Sequence, residues 1–183
     1  MFPGVRVHNV VVSACLGVEL NLDVIADALS AKVRYRSGRL PRLVFRFESS
    51  RVAVLLFGSG RLICVGARSK CEAEKAVLKV VELLRSLGME VEKPEITVRN
   101  VVASADLGRH VDLEDLCERA GVSASRLIYE PEQFPQLIFR MDSPRVVFLI
   151  FSNGKIVCLG AKSTEEVRKA FKKLKSWLKQ FVQ

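Results

Sequence analysis

Histidine and paired cysteine are scarce in this chain. Only His8 and His110 occur in 183 residues, and they do not assemble with the cysteines into a zinc motif. Cys15, Cys64, Cys71, Cys117 and Cys158 are odd in number and contain no C-x-x-C. That excludes a complete disulfide framework and a redox pair, and suits a reducing compartment. No apolar run is long enough to span a bilayer, and no signal peptide is visible. The expected location is the cytoplasm, beside the nucleoid, or the nucleus if the source is eukaryotic; no membrane partner is expected. No carboxylate pair and no Cys–His pair converge, so an enzyme is not expected, nor a cofactor or metal. Acid is also short: 20 Asp and Glu against 29 Lys and Arg leave a net charge of +9. Such a balance favours a polyanion such as DNA, RNA or an anionic membrane surface, or belongs to a merely soluble basic protein.

What the chain has is apolar sequence, 49% of it, and a duplication. Phe134 to Lys162 reads as strand, turn, strand, tight hairpin, strand. Within it Val146–Phe151 is apolar at every position, where a half-buried antiparallel strand alternates. Leu40 to Arg68 repeats the stretch at a constant offset, 57 matching 151 and 66 matching 160. Pro41/Pro135, Phe45/Phe139, Arg46/Arg140, Arg51/Arg145, Leu55/Leu149, Phe57/Phe151, Gly60/Gly154, Cys64/Cys158, Gly66/Gly160 and Ala67/Ala161 are identical. Matching at roughly half the positions is a repeat signal. Cys64 and Cys158, at equivalent apolar positions, read as small core residues.

In chain order, Val5 to Leu16 predicts a strand, and Asn21 caps a short helix from Leu22 to Leu29. Its stripe is Leu22, Ile25, Ala26 and Leu29. Tyr35 to Gly38 reads as a turn or loop base, and Ser59-Gly60 as a hairpin turn. Ser69 to Glu72 forms a capping box opening a helix with Ala73, Ala76, Val77, Val80, Leu84 and Leu87 on one stripe, ended by Gly88. The second copy starts at Ile96. Its first helix spans Leu113 to Ala120, capped by Asp112 and ended by Gly121. Three extra residues fall between Gly108 and Tyr129. Asn153-Gly154 signals a type I′ hairpin, and Ser163 to Glu166 repeats the capping box. Val167, Ala170, Phe171, Leu174, Leu178 and Phe181 form the last buried stripe. The division is 5–90, a linker at 91–95, and 96–183.

Each copy is therefore strand, helix, four strands, helix. Its helices can cover only one sheet face. Val54, Leu56, Phe148 and Ile150 point one way, and Leu55, Phe57, Leu149 and Phe151 point the other. Two copies side by side give one sheet with helices behind and an apolar face in front, and a bare apolar face marks a binding surface.

Several motifs carry a family resemblance: Asn9-Val10-Val11, Asn100-Val101-Val102, Tyr129 to Pro135, Leu137 to Arg140, Leu149 to Phe151, and Gly154 to Val157 through Gly160 to Lys162. With them the chain resembles the TATA-binding protein family, its archaeal branch above all, over nearly its whole length. The resemblance implies an α+β fold of two pseudo-twofold-related repeats. Each is a curved five-stranded antiparallel sheet with two helices, and together they form a ten-stranded saddle with helices on the convex face. It implies binding and bending of an A·T-rich duplex in the minor groove, in transcription initiation. That groove is wedged and kinked in the family, which serves as a standing example of the effect.

By resemblance the wedges are Phe134 with Phe151 and Leu40 with Phe57, flanked by Pro135 and Pro41. Asn9 and Asn100 contact acceptors on the groove floor; an unpartnered Asn in an apolar strand is costly, which fits a ligand-facing role. Val11, Val102, Leu55, Leu149, Ile63 and Val157 form the apolar floor. Val65 and Leu159 stand where the family usually has hydroxyl residues, and Leu40 where many members have Phe. Arg46, Arg140, Arg61, Lys155, Arg68 and Lys162 lie near phosphates. Glu130, Glu132 and Gln133 form either a solvated acidic turn or the loop gripped by transcription factor B, with RNA polymerase recruited indirectly. The first copy has Arg36 to Arg39 there instead. The free protein has a route to a homodimer through its concave face. The basic face of the last helix (Arg168, Lys169, Lys172, Lys173, Lys175, Lys179) is either solvated or a further contact. The alternative function is a paralogue or architectural DNA-binding protein of this fold with relaxed sequence preference.

Overall fold

A strand that is apolar throughout must bury at least one face, and in each copy a helix supplies the cover. The computed structural model describes residues 4–30, 33–47, 50–120 and 126–181. Its elements are β1 (Arg6–Cys15), α1 (Leu22–Ala28), β2 (Val33–Arg36), β3 (Arg42–Arg46), β4 (Ala53–Phe57), β5 (Arg61–Ala67) and α2 (Lys70–Ser86), then β6 (Thr97–Asp106), α3 (Leu113–Ala120), β7 (Leu127–Ile128), β8 (Gln136–Met141), β9 (Val146–Phe151), β10 (Lys155–Ala161) and α4 (Thr164–Leu178). Contacts divide the chain into two units, Asn9–Arg99 and Asn100–Gln183 with Met1–His8.

In the first unit the strand order is β2-β3-β4-β5-β1. Leu43 pairs with Leu56, which pairs with Leu62, and all three are fully buried. With Phe45, Val54 and Cys64 they make the back face. Ala73, Val77, Val80, Val81 and Leu84 of α2 are buried as well, and α2 packs on β4 and β5. In the second unit the order is β6-β10-β9-β8-β7. Leu137, Phe148, Ile150, Ile156 and Cys158 are buried there with Val167, Phe171 and Leu174 of α4. The Phe171 ring meets Phe148 edge-on at 5.2 Å, and Trp177 stacks on Phe139 at 4.6 Å. Burial pushes the Cys64 thiol up to about 11, with Glu72 adding to it, and the Cys158 thiol up to about 12. Both behave as the core residues the repeat predicts.

Helix starts follow the capping expectation with one change. Asn21 Oδ1 accepts from the N–H groups of Asp23 and Val24, and Asp112 Oδ1 from Glu114 and Asp115. Ser69 and Ser163 accept from Glu72 and Glu166 N–H. The reciprocal bond is displaced: Glu72 Oε2 takes the N–H of Arg68 at 2.7 Å, and Glu166 Oε2 that of Lys162 at 2.8 Å. A capping box would return that bond to the serine. The carboxylates instead hold the residue before it. Gly88 (φ +82°) ends α2 with Gly88 N–H on Arg85 O and Met89 N–H on Leu84 O, a Schellman pair.

Other expectations shift. Tyr35 and Arg36 belong to β2, because their backbone pairs with Leu43 and Arg42. Leu87 is 37% exposed at the end of α2 rather than on its buried stripe. Phe181 lies beyond α4, half-buried against Trp177 at 5.1 Å. Gly121 and part of the three-residue insertion lie outside the described residues.

The hairpins are three residues long, not type I′. Gly60 N–H bonds Phe57 O and Gly154 N–H bonds Phe151 O, each at 2.9 Å, with the glycine left-handed at φ +74° and +86°. This is a type I turn closed by a left-handed residue. A Cβ on Gly154 would lie 2.2 Å from Arg109 O, whereas one on Gly108 (φ +69°) meets nothing within 4 Å. Gly108→Ala should therefore cost about 1–2 kcal/mol from φ alone, and Gly154→Ala about 3 kcal/mol or more. Urea unfolding of the two variants checks the ranking.

Candidate nucleic-acid interface

Strand alternation sends the second apolar set to the face the helices leave uncovered. In the first unit Val44, Leu55, Ile63 and Ser13 form one cross-strand row. Ala53 and Val65 form the next, and Phe57 pairs with Arg42 at the end of the face. In the second unit the matching rows are Ile138, Leu149, Val157 and Ser104, then Arg140, Val147 and Leu159, with Gln136 against Phe151. Leu55, Phe57, Ile63, Val65, Leu149, Phe151, Val157 and Leu159 are all half-buried. Val11 and Val102 are half-buried too.

The wedge candidates Leu40 and Phe134 are among the most open large apolar side chains, 66% and 53% exposed. Each lies two residues before the residue paired with Phe57 or Phe151, Arg42 and Gln136. Their supports differ. Phe134 N–H and Gln133 N–H both bond Glu130 O, at 2.8 and 2.9 Å, so the acidic turn holds the backbone that carries the ring. At Leu40 it is the Arg42 guanidinium that donates to the carbonyl, at 3.0 Å. Pro41, Pro135, Glu130, Glu132 and Gln133 are exposed.

Asn9 and Asn100 differ from the sequence expectation, because each has a protein partner. The β1–β5 ladder slips between Val10 and Val12, and the β6–β10 ladder between Ala161 and Cys158. Each slip leaves a glycine N–H without a ladder acceptor. Asn9 Oδ1 takes Gly66 N–H at 2.8 Å, and Asn100 Oδ1 takes Gly160 N–H at 2.9 Å. An N–H demands the amide oxygen, so each Nδ2 is left as a donor. The asparagine is thus a bulge clamp and a fixed donor at once.

Arg46, Arg140, Arg61 and Lys155 are exposed on or beside these rows. Arg68 and Lys162 sit apart, at the strand–helix junctions where Glu72 and Glu166 hold their backbones. Missed from sequence were Val44, Ile138 and Val147, which two-residue spacing from Arg46, Arg140 and Leu149 would have found. Ser13 and Ser104 were missed as well; Arg99 Nε donates to Ser13 Oγ, and the His8 ring bonds Ser104 Oγ, each at 2.6 Å.

The family model described as Transcription factor TFIID (or TATA-binding protein, TBP) matches residues 4–87 and 95–181. The chain belongs to the TATA-binding protein family. The TATA-box-binding protein of Pyrobaculum islandicum is 45% identical over 178 residues, covering 97% of this chain and 87% of that one. That of Methanocaldococcus jannaschii is 41% identical over 181 residues, covering 98% and 96%. A solved structure described as Methanococcus jannaschii TBP matches with a TM-score of 0.83 at 39% identity, over 98% of this chain and 99% of that one. The fold is the family's, two repeats of five antiparallel strands and two helices, and the family is one of DNA-binding transcription factors, not enzymes. No helix among the described residues is long and apolar enough to cross a membrane.

The clamp is testable without nucleic acid. Asn100→Ala orphans Gly160 N–H and should lower stability by about 1 kcal/mol. Asn100→Asp keeps the acceptor and should melt close to the unaltered protein. Equal losses in thermal melts would contradict the bulge-clamp assignment.

Proposed function

We propose that this protein is a transcription initiation factor that binds an A·T-rich promoter element in the minor groove and bends it. The observation that carries the reading is the uncovered apolar face with one oriented amide donor in each repeat. An A·T minor groove presents only acceptors, adenine N3 and thymine O2, whereas a G·C pair adds the guanine amino donor. Asn9 Nδ2 and Asn100 Nδ2 answer the acceptors and oppose the amino group. The apolar rows of Leu55, Ile63, Val65, Leu149, Val157 and Leu159 meet the sugars and groove floor. With Val65 and Leu159 carrying no hydroxyl, selectivity leans on duplex deformability.

Phe134 and Phe151 enter one base step, and Leu40 and Phe57 enter another. Wedging of this kind kinks a duplex. Arg46, Arg61, Arg140, Lys155, Arg68 and Lys162 neutralise phosphates. The acidic turn of Glu130, Glu132 and Gln133 takes transcription factor B, which brings RNA polymerase. Free of DNA, the same apolar face supports self-association.

Phe151→Ala should reduce bending and weaken binding to an A·T-rich duplex, by about tenfold if the ring supplies the stacking worth of a single wedge. The melting temperature should move little, because the ring is half-exposed. Energy-transfer bending assays beside thermal melts check this; a large melting loss with unchanged bending contradicts it. Glu130→Arg with Glu132→Arg should leave binary DNA affinity intact and weaken the ternary complex with transcription factor B. Gel-shift titration of that factor reads the result, and an unchanged ternary complex removes the assignment.

A further inference from the structure

The two repeats differ most where the strand alternation places charge. In the first unit Arg34 pairs with Val44 and Arg36 with Arg42. Val44 and Arg42 pair in turn with Leu55 and Phe57. The three arginines therefore share the face of the uncovered apolar rows, while Val33 and Tyr35 pair with the buried Phe45 and Leu43 behind. Arg34 and Arg36 are exposed and Arg42 half-buried. None of the three joins an ion pair among the described residues. Arg36 opposite Arg42 is a like-charge cross-strand pair, which is unfavourable unless an anion lies against it.

The equivalent positions of the second repeat are Ile128, Glu130 and Gln136. Three positive charges thus stand against a net of one negative. We infer that Arg34, Arg36 and Arg42 form a phosphate-binding patch for duplex DNA, found in the first repeat alone and continuing its apolar rows onto the outer strand β2. The inference rests on the DNA-binding reading and adds a contact to it. A duplex is favoured over an acidic protein because the patch adjoins the wedge: Arg42 donates to Leu40 O and pairs with Phe57. A strand leaving a kink at those side chains passes its phosphates over the β2–β3 ribbon. Guanidinium groups suit that contact, since they remain charged and take phosphate oxygens in pairs.

The test is the salt dependence of binding to an A·T-rich duplex, by fluorescence anisotropy across a potassium chloride series. Each phosphate neutralised contributes about 0.9 to the slope of log affinity against log salt. Arg34→Ala with Arg36→Ala and Arg42→Ala should lower the slope by about 2 to 3. The three Arg→Lys changes should largely retain it. Lys75→Ala with Lys79→Ala, exposed on α2 at the helix side, should leave it unchanged. Circular dichroism melts show that the variants fold. An unchanged slope in the folded alanine variant overturns the patch and leaves an acidic protein as its ligand. An equal drop in the helix variant also overturns it, since net charge alone would then explain the effect. No binding by the unaltered chain sinks the DNA reading itself, a result the variants cannot imitate.

Discussion

Each repeat has one layer of strands, two faces to that layer, and helices enough for only one of them. Everything else follows from that shortage. Apolar side chains alternate along β4 and β9, so Val54, Leu56, Phe148 and Ile150 are buried on the side of α2 and α4. Leu55, Phe57, Leu149 and Phe151 remain half-exposed. Apolar rows of this extent persist on a protein surface when a ligand is their partner. A smooth groove floor with few donors is the ligand proposed for them.

The bulges give that face its polarity. A slipped ladder leaves the N–H groups of Gly66 and Gly160 without ladder acceptors, and Asn9 and Asn100 supply them. Satisfying the backbone fixes the amide, and a fixed amide presents its donors without rotational choice. Stability is thus met by one end of the side chain, which leaves the other end for the proposed recognition. A related device recurs at the strand–helix junctions, where Glu72 and Glu166 hold Arg68 and Lys162 by the backbone.

Duplication alone would make the two repeats equivalent. They differ in the loops between outer strands. One repeat has Glu130, Glu132 and Gln133 in a turn whose carbonyl holds Phe134. The other has arginines and a leucine held by Arg42. A pair of repeats alike in fold thus has one basic and one acidic outer loop, a difference in charge that sets the two apart.

The duplication, the helix caps at Asn21, Ser69, Asp112 and Ser163, and the split of β4 and β9 into two apolar faces were determined by sequence alone. Each cap and each face depends on residues a few positions apart, where backbone geometry leaves little choice. The asparagine acceptors, the displaced glutamate bonds and the strand character of Tyr35 and Arg36 were decided only by tertiary structure. The asparagine partners lie far along the chain, 57 residues apart for Asn9 and Gly66, and strand register, which no local pattern encodes, brings them together. Register is also what sets Arg36 beside Arg42 and so makes a charged patch of scattered arginines.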